Sequence, residues 1–219
     1  MNLLTLGDSF TYGEELSDRN QSWPQKLATQ INYELINLGL PSNSNPAIAR
    51  QLLDHLSSGK EEKPDLVVIG WTSPGRTEHS DAVGNFNLWP GYSGSLFIKQ
   101  QPWRKELLNY INQYHNDEYL FETYIQQTIY VQNLLQNKGI RYIMCNTIEN
   151  EYYKNTYSAK FRYYHSLIDS EYFVGWSESG MAEWVEDCER GPNGHFLEKG
   201  HQIVADRIYE HIRTLGWLP

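Results

Sequence analysis

The chain has 219 residues, of which 40% are hydrophobic and 21% charged, and its formal net charge is −9. This length and composition are typical of a folded globular protein with a sizeable core, and they exclude an intrinsically disordered chain. The acidic charge, without any Lys- or Arg-rich block, argues against nucleic-acid binding, which requires positive charge to neutralise phosphates.

The cysteine content and the hydropathy pattern bear on the cellular compartment. Cys145 and Cys188 are too few for a disulfide framework, and Cys145 lies in an apolar run that predicts a buried thiol. The N-terminus lacks the features of a signal peptide, and no apolar run approaches the roughly 20 residues of a membrane span. We therefore predict a cytoplasmic protein without a membrane or nucleic-acid partner. The sequence does not indicate an oligomeric state.

Strands and helices alternate along the chain. The predicted strands are Asn2–Leu6, Glu34–Leu38, Asp65–Trp71 and Ile140–Cys145, and the predicted helices are Ser22–Ile31, Asn45–Leu56, Trp103–Tyr114, Tyr119–Lys138 and Glu198–Leu215. The continuously apolar Asp65–Trp71 is typical of a strand that is buried on both faces of a parallel sheet. The alternation predicts an α/β fold, a three-layer α/β/α sandwich with a mainly parallel central sheet, formed by a single domain over residues 1–219.

Two stretches, at about 74–101 and 149–172, show no regular period and are predicted to be long loop insertions. The segment Tyr172–Trp176 fits either a short strand or a buried turn. Aromatic residues in and beside these stretches either stack on sugar rings or pack the loops onto the domain: Phe86, Trp89, Tyr92, Trp103, Tyr152, Tyr153 and Tyr157.

The stretch TLGDSFTYGE, residues 5–14, places Ser9 directly after the first strand. In parallel sheets the active residues gather at the carboxyl ends of the strands. A serine nucleophile needs a base within hydrogen-bond reach and donors for the oxyanion. A serine at the start of a helix is also a common N-cap, so this stretch alone leaves both interpretations open.

The stretch GPNGHFLEKGHQIVADRI, residues 191–208, places His195 just before the last helix, either as a base or as a surface residue. The pattern His195-x-x-Glu198-x-x-His201 does not predict a metal site, because its two histidines would not share a helix face. No glycine-rich phosphate cradle is present. We therefore predict no metal and no cofactor.

Taken together, these stretches resemble the first and last sequence blocks of the SGNH, or GDSL-type, hydrolases. NLGLPSNSN (37–45) and VVIGWTS (67–73) resemble the second and third blocks, so four blocks occur in the family's order. The resemblance implies that Ser9 is the nucleophile, that His195 is the base and that Gly200 is the glycine that follows it. It also implies that Ser42 and Thr72 stand at the oxyanion-hole positions.

Three positions depart from the family pattern. Ser42 replaces a glycine whose N–H serves the oxyanion, and this donor survives if Ser42 adopts the required backbone angles. Thr72 replaces an asparagine donor. Asn193 lies where an aspartate usually orients the base, and it could accept a hydrogen bond from the imidazole. Other carboxylates (Glu186, Asp187 or Glu189) or a backbone carbonyl remain open as alternatives.

The resemblance implies hydrolysis of a carboxylic ester through an acyl-enzyme on Ser9. Polar loops with interleaved aromatic residues favour an O-acetylated carbohydrate as the substrate. Two alternatives stay open: a non-catalytic glycan-binding or structural descendant of the fold, and a lipase-, lysophospholipase- or thioesterase-type acyl hydrolase. Asp8, Trp71 and Arg76 are further candidates for substrate contact, although Trp71 also fits a core position and Arg76 a solvated loop.

Overall fold

A computed structural model describes residues 1–59, 63–82, 84–92, 101, 103–148 and 159–218. Within these residues a central sheet is formed by β1 (Asn2–Leu6), β2 (Glu34–Asn37), β3 (Leu66–Trp71) and β6 (Arg141–Asn146). Its strand order is β2-β1-β3-β6, and its neighbouring strands are all parallel. The predicted strands are confirmed to within a residue at each end.

Helices cover both faces of this sheet. The α-helices of the described residues are α1 (Ser9–Tyr12), α2 (Trp23–Ile31), α3 (Asn45–Ser57), α4 (Arg104–Tyr114), α5 (Asp117–Asn137), α6 (Ala159–Ser166), α7 (Met181–Trp184) and α8 (Glu198–Thr214). Side chains from α3 and α5 pack on one face of the sheet, and side chains from α2, α7 and α8 pack on the other.

The strands divide their side chains between these two layers. In β3, Val67 and Ile69 face the α3–α5 layer, whereas Leu66 and Val68 face the α2–α8 layer. This alternation is the period of two that a strand imposes, and here both sets are apolar because both faces are covered. The predicted three-layer α/β sandwich is therefore confirmed.

The predicted loop at about 74–101 contains regular structure. An antiparallel hairpin is formed by β4 (Thr77–Asp81) and β5 (Gly84–Leu88), and Arg50 of α3 pairs with Glu78 at 2.7 Å. This hairpin was not predicted because its strands are polar and partly exposed, and so they lack an apolar period. In the second predicted loop, at about 149–172, residues 149–158 lie outside the described residues, while α6 and a 3₁₀ turn (Ser170–Tyr172) follow.

Tyr172–Trp176 is a turn and not a strand, because Phe173 alone pairs with the sheet. Phe173 forms a single parallel bridge with Met144 on the edge strand β6 and is 2% exposed, so the turn is buried at this point. Among the described residues, no helix has the length and apolar character needed to span a bilayer.

Candidate active site

The turn after β1 presents Ser9 at the start of α1. The Asp8 carboxylate accepts a hydrogen bond from Phe10 N at 3.1 Å and is therefore the N-cap of this helix. Because Asp8 has the capping role, the Ser9 hydroxyl does not need to cap. Its Oγ lies 2.8 Å from His195 Nε2, although 186 residues separate the two in sequence.

A tight loop before α8 holds His195. Gly191 N donates to His195 O at 2.8 Å, so the chain folds back on itself at this point. The Phe10 ring packs against the rings of both His195 and Phe196, with centroids 4.9 and 5.0 Å away. These contacts leave the imidazole 13% exposed, with one edge directed at Ser9.

Glu15 contacts the other nitrogen of the same imidazole. Its Oε2 lies 2.8 Å from His195 Nδ1 and accepts from His195 N at 3.1 Å. Its Oε1 accepts from Asn193 N at 2.8 Å and from Asn193 Nδ2 at 3.2 Å. The Glu15 side chain is only 9% exposed, so this carboxylate is enclosed by the loop that it orients.

The backbone of Glu15 is unusual, with φ of 68° in the left-handed region. A non-glycine residue in that region costs roughly 1–3 kcal/mol and persists where the surroundings enforce it. Gly191 makes the required space, because a Cβ at this position would lie 2.7 Å from Glu15 Cδ. The sequence thus accepts a strained residue and a bare glycine in order to bring this carboxylate to His195.

These contacts also set the protonation of the site. Burial acts to raise the pKa of Glu15, but the hydrogen bonds from Asn193 and His195 outweigh it and lower the pKa below the ordinary value of 4.5. An ionised carboxylate can only accept, so Nδ1 of His195 carries the proton that it shares with Glu15. In the neutral ring Nε2 is then an acceptor, and Ser9 Oγ–H donates to it.

Ser42 lies in the turn after β2, and its backbone has the left-handed conformation, with φ of 62°. A glycine is favoured at such a φ, and the serine nevertheless adopts it. The turn is tied to the turn between β1 and α1, because Leu40 N and Asn43 Nδ2 both donate to Gly7 O, at 3.1 and 3.0 Å. Among the described residues, none accepts a hydrogen bond from the N–H of Ser9 or of Ser42.

Thr72 makes a different contact from the one that was predicted. Its hydroxyl lies 2.6 Å from Asp8 Oδ2, which also accepts from Thr147 Oγ1 at 2.9 Å. A hydroxyl has a single proton, so in this arrangement Thr72 donates to Asp8. Its role as an oxyanion donor stays a prediction, and it requires Thr72 to release Asp8.

The structure corrects the interpretation of Asp8 and Trp71 as substrate contacts. Asp8 is 0% exposed, and its two oxygens are occupied by protein donors, including Arg76 Nη1 at 3.5 Å. Trp71 is also 0% exposed and packs edge-on against Tyr124 in the core. Arg76 remains a candidate, since it is 18% exposed and lies next to Asp8 and to the backbone oxygen of Asn43.

The structure also corrects the group behind His195. Asn193 does not contact the imidazole but donates to Glu15. Among the described residues, neither Glu186, Asp187 nor Glu189 reaches the His195 ring. Glu15 could not be identified from the last sequence block, because it precedes that block by most of the chain. The sequence signal for a carboxylate near the site was the pair Glu14–Glu15, just after the candidate nucleophile.

His201 has a structural position at the start of α2. It is 1% exposed, and its Nδ1 accepts from Trp23 N at 3.1 Å, so it caps α2.

Two of the aromatic residues predicted to stack on sugars lie near Arg76. Trp89 and Tyr92 pack edge to face with centroids 4.6 Å apart, and the Arg76 guanidinium lies 5.2 Å from the Trp89 ring. Three of the tyrosines predicted to stack on sugars, Tyr152, Tyr153 and Tyr157, lie outside the described residues.

Solved structures share this architecture over nearly the whole chain. TesA superposes with a TM-score of 0.59 at 15% identity, covering 98% of this chain and 99% of that one. A putative lipolytic protein of the G-D-S-L family from Desulfitobacterium hafniense gives 0.50 at 13% identity, covering 96% and 98%. A two-domain esterase active on acetylated mannans gives 0.54 at 16% identity, covering 98% of this chain and 49% of that one.

The chain therefore has the fold of the GDSL/SGNH hydrolases, at 13–16% sequence identity to these three structures. It belongs to the family described as "Family of unknown function (DUF6071)", whose model matches residues 11–218. No curated protein sequence matches the chain.

Proposed function

We propose that this protein is a serine hydrolase that cleaves carboxylic esters. One observation carries the proposal: an unbroken chain of hydrogen bonds runs from Ser9 Oγ through His195 Nε2 and Nδ1 to Glu15, with 2.8 Å at each of its two steps. A nucleophile, a base and a carboxylate that orients the base are the parts that a covalent hydrolase needs.

In the first half-reaction, Ser9 Oγ attacks the carbonyl carbon of the ester while His195 Nε2 takes the hydroxyl proton. The tetrahedral intermediate collapses, the bond from the acyl carbon to the alcohol oxygen breaks, and Nε2 returns the proton to that oxygen. In the second half-reaction, His195 takes a proton from water, whose oxygen attacks the acyl-serine. The bond from the acyl carbon to Ser9 Oγ then breaks, the carboxylic acid leaves, and Nε2 returns its proton to Oγ, which restores the Ser9 hydroxyl.

Glu15 fixes the ring during both halves. Its carboxylate holds Nδ1–H and stabilises the imidazolium that forms whenever Nε2 carries the transferred proton. The N–H groups of Ser9 and Ser42 are the proposed donors to the oxyanion. Such donors act strongly because they are fixed before the charge develops, and loss of one costs about 10²–10³ in rate.

An O-acetylated carbohydrate is the proposed substrate class. The similar two-domain esterase is described as active on acetylated mannans, which supports an acetyl ester of a sugar. The Trp89–Tyr92 pair adds support, because it lies beside Arg76 and so close to the network around Asp8. Aromatic faces at such a position suit the stacking of a sugar ring.

Hydrolysis of a short-chain aryl acetate tests the proposal directly. We expect turnover by the wild-type protein and a loss of at least 10³-fold in Ser9→Ala, because no other residue replaces the nucleophile. Circular dichroism would verify that the variant is folded. Equal turnover by the two proteins would overturn Ser9 as the nucleophile, and no turnover by the folded wild type would support the non-catalytic alternative.

A further inference from the structure

A second carboxylate lies beside the reacting edge of His195. Glu14 Oε2 is 3.6 Å from His195 Nε2, the nitrogen that also contacts Ser9 Oγ at 2.8 Å. The backbone of Glu14 is fixed, since its N–H donates to Ser9 O at 3.0 Å. Its side chain is 38% exposed, so the carboxylate is open to an incoming molecule.

This carboxylate has no other assigned role. Within the described part of the chain, no residue other than His195 pairs with the Glu14 side chain. Glu15 already occupies Nδ1, so Glu14 is not needed to orient the ring. An acceptor that is open to solvent next to a reacting nitrogen is a place where a substrate donor can bind.

The chemistry of the site defines which part of the substrate reaches Glu14. Nε2 must return its proton to the leaving alcohol. The oxygen of that alcohol therefore comes within hydrogen-bond reach of Nε2, at about 2.6–3.2 Å. The leaving oxygen and the Glu14 carboxylate are thus neighbours around one nitrogen. Some alcohols carry a second hydroxyl on the carbon next to the one that bears the ester. That hydroxyl is placed to donate to the Glu14 carboxylate while the leaving oxygen contacts Nε2.

We propose that Glu14 is a specificity-determining residue that accepts a hydrogen bond from a free hydroxyl beside the ester, in the alcohol part of the substrate. The preferred substrate is then a partly acetylated polyol or sugar. This inference rests on the proposed ester hydrolysis and goes further by assigning the residue that reads the alcohol. An exposed carboxylate also attracts a cationic alcohol, so the test below includes one.

The test compares three small acetates. 2-Hydroxyethyl acetate carries the hydroxyl, 2-methoxyethyl acetate replaces it with an ether that cannot donate, and acetylcholine carries a positive charge without an N–H or O–H donor. We expect the wild-type kcat/KM for the hydroxyethyl ester to exceed that for the methoxyethyl ester by about tenfold, the size of a hydrogen bond to a charged group.

Three variants separate hydrogen bonding from charge. Glu14→Ala removes the acceptor and should reduce the hydroxyethyl-to-methoxyethyl ratio to about one. Glu14→Gln keeps a neutral acceptor and should retain part of the preference. Glu34→Ala, at an exposed position on β2, removes the same charge far from the site and should leave the ratio unchanged.

Each outcome is decisive. A ratio that is the same in wild type and Glu14→Ala overturns the role of Glu14 while leaving the proposed hydrolysis intact. A wild-type preference for acetylcholine that Glu14→Ala abolishes also overturns it, since Glu14 would then select for charge. Failure of the folded wild type to cleave any ester, the aryl acetate included, overturns the proposed function itself and the role of Glu14 with it.

Discussion

Glu15 Oε2 lies 2.8 Å from His195 Nδ1, across a sequence separation of 180 residues. The carboxylate that contacts the His195 imidazole therefore comes from the same short segment of chain that carries Ser9. Ser9 and Glu15 are joined by one short segment, and the His195 imidazole lies between them.

Replacing Glu15 tests the orienting role. We expect Glu15→Gln to lower kcat for an aryl acetate by up to about 10⁴, because an amide can donate to Nδ1 and so favour the wrong tautomer, as in the Asp→Asn change of a serine-protease triad. KM should change little. Steady-state kinetics beside Glu34→Gln, a matched change at an exposed site, would measure this effect. A kcat within about twofold of wild type would show that the carboxylate is dispensable.

Gly191→Ala tests how Glu15 reaches the ring. The new Cβ would lie 2.7 Å from Glu15 Cδ, so the carboxylate must move and kcat should fall. In a Glu15→Ala background the same substitution should have little further effect, because the group that it displaces is absent. A double-mutant cycle on kcat measures this coupling. Additive losses would mean that Gly191 acts independently of Glu15.

Thr72→Val separates the two roles of the Thr72 hydroxyl. If the hydroxyl stabilises the buried Asp8, we expect the free energy of unfolding in urea to fall by about 1.5–3 kcal/mol, as for a hydrogen bond to a charged group. Thr72→Ser, which keeps the hydroxyl, should remain near wild type. Unchanged stability together with a loss of kcat of about 10²–10³ would indicate an oxyanion donor instead.

The free energy of unfolding should depend on pH through His201. Burial, with smaller contributions from Lys26 and His195, lowers the pKa of His201 from its ordinary value of 6.5 to about 3. Between these values the unfolded chain binds a proton that the folded chain does not. The stability contributed by this residue is therefore complete above about pH 6.5 and is lost progressively as the pH falls.

Substituting His201 with asparagine isolates this effect. Asparagine can still accept from Trp23 N but does not titrate. Urea unfolding at pH 7 and pH 5 should show wild type losing up to about 2 kcal/mol more than His201→Asn over that interval. Equal losses in the two proteins would mean that His201 is protonated in the folded state.

The strands of the central sheet and the position of Ser9 could be predicted because their signals are local. An apolar run such as Asp65–Trp71 and a short block such as Gly7-Asp8-Ser9 each lie within a few residues. The hairpin of β4 and β5 could not, since polar strands have no apolar period. Glu15 could not either, because a left-handed backbone and a contact with a distant loop leave no pattern in the sequence.

The proposed oxyanion-hole positions fall between these cases. The block that contains Ser42 indicated its place after β2, but only the structure shows that the serine adopts the left-handed backbone that glycine favours. Similarly, the third block indicated Thr72, whereas the destination of its proton depends on Asp8, which lies on a different strand end. Such pairings are set by the packing of the strands and not by neighbouring residues.

Labelling with a fluorophosphonate tests the central claim most directly, because the reagent reacts with a serine whose proton is taken by a neighbouring base. Mass spectrometry of the wild-type protein should find one adduct, and peptide mapping should place it on Ser9. Ser9→Ala should remain unlabelled, and Glu15→Gln should react more slowly. Two results would contradict the assignment of Ser9 as an activated nucleophile. One is a folded wild-type protein without an adduct on Ser9, and the other is a Ser9→Ala variant that is labelled as strongly as wild type.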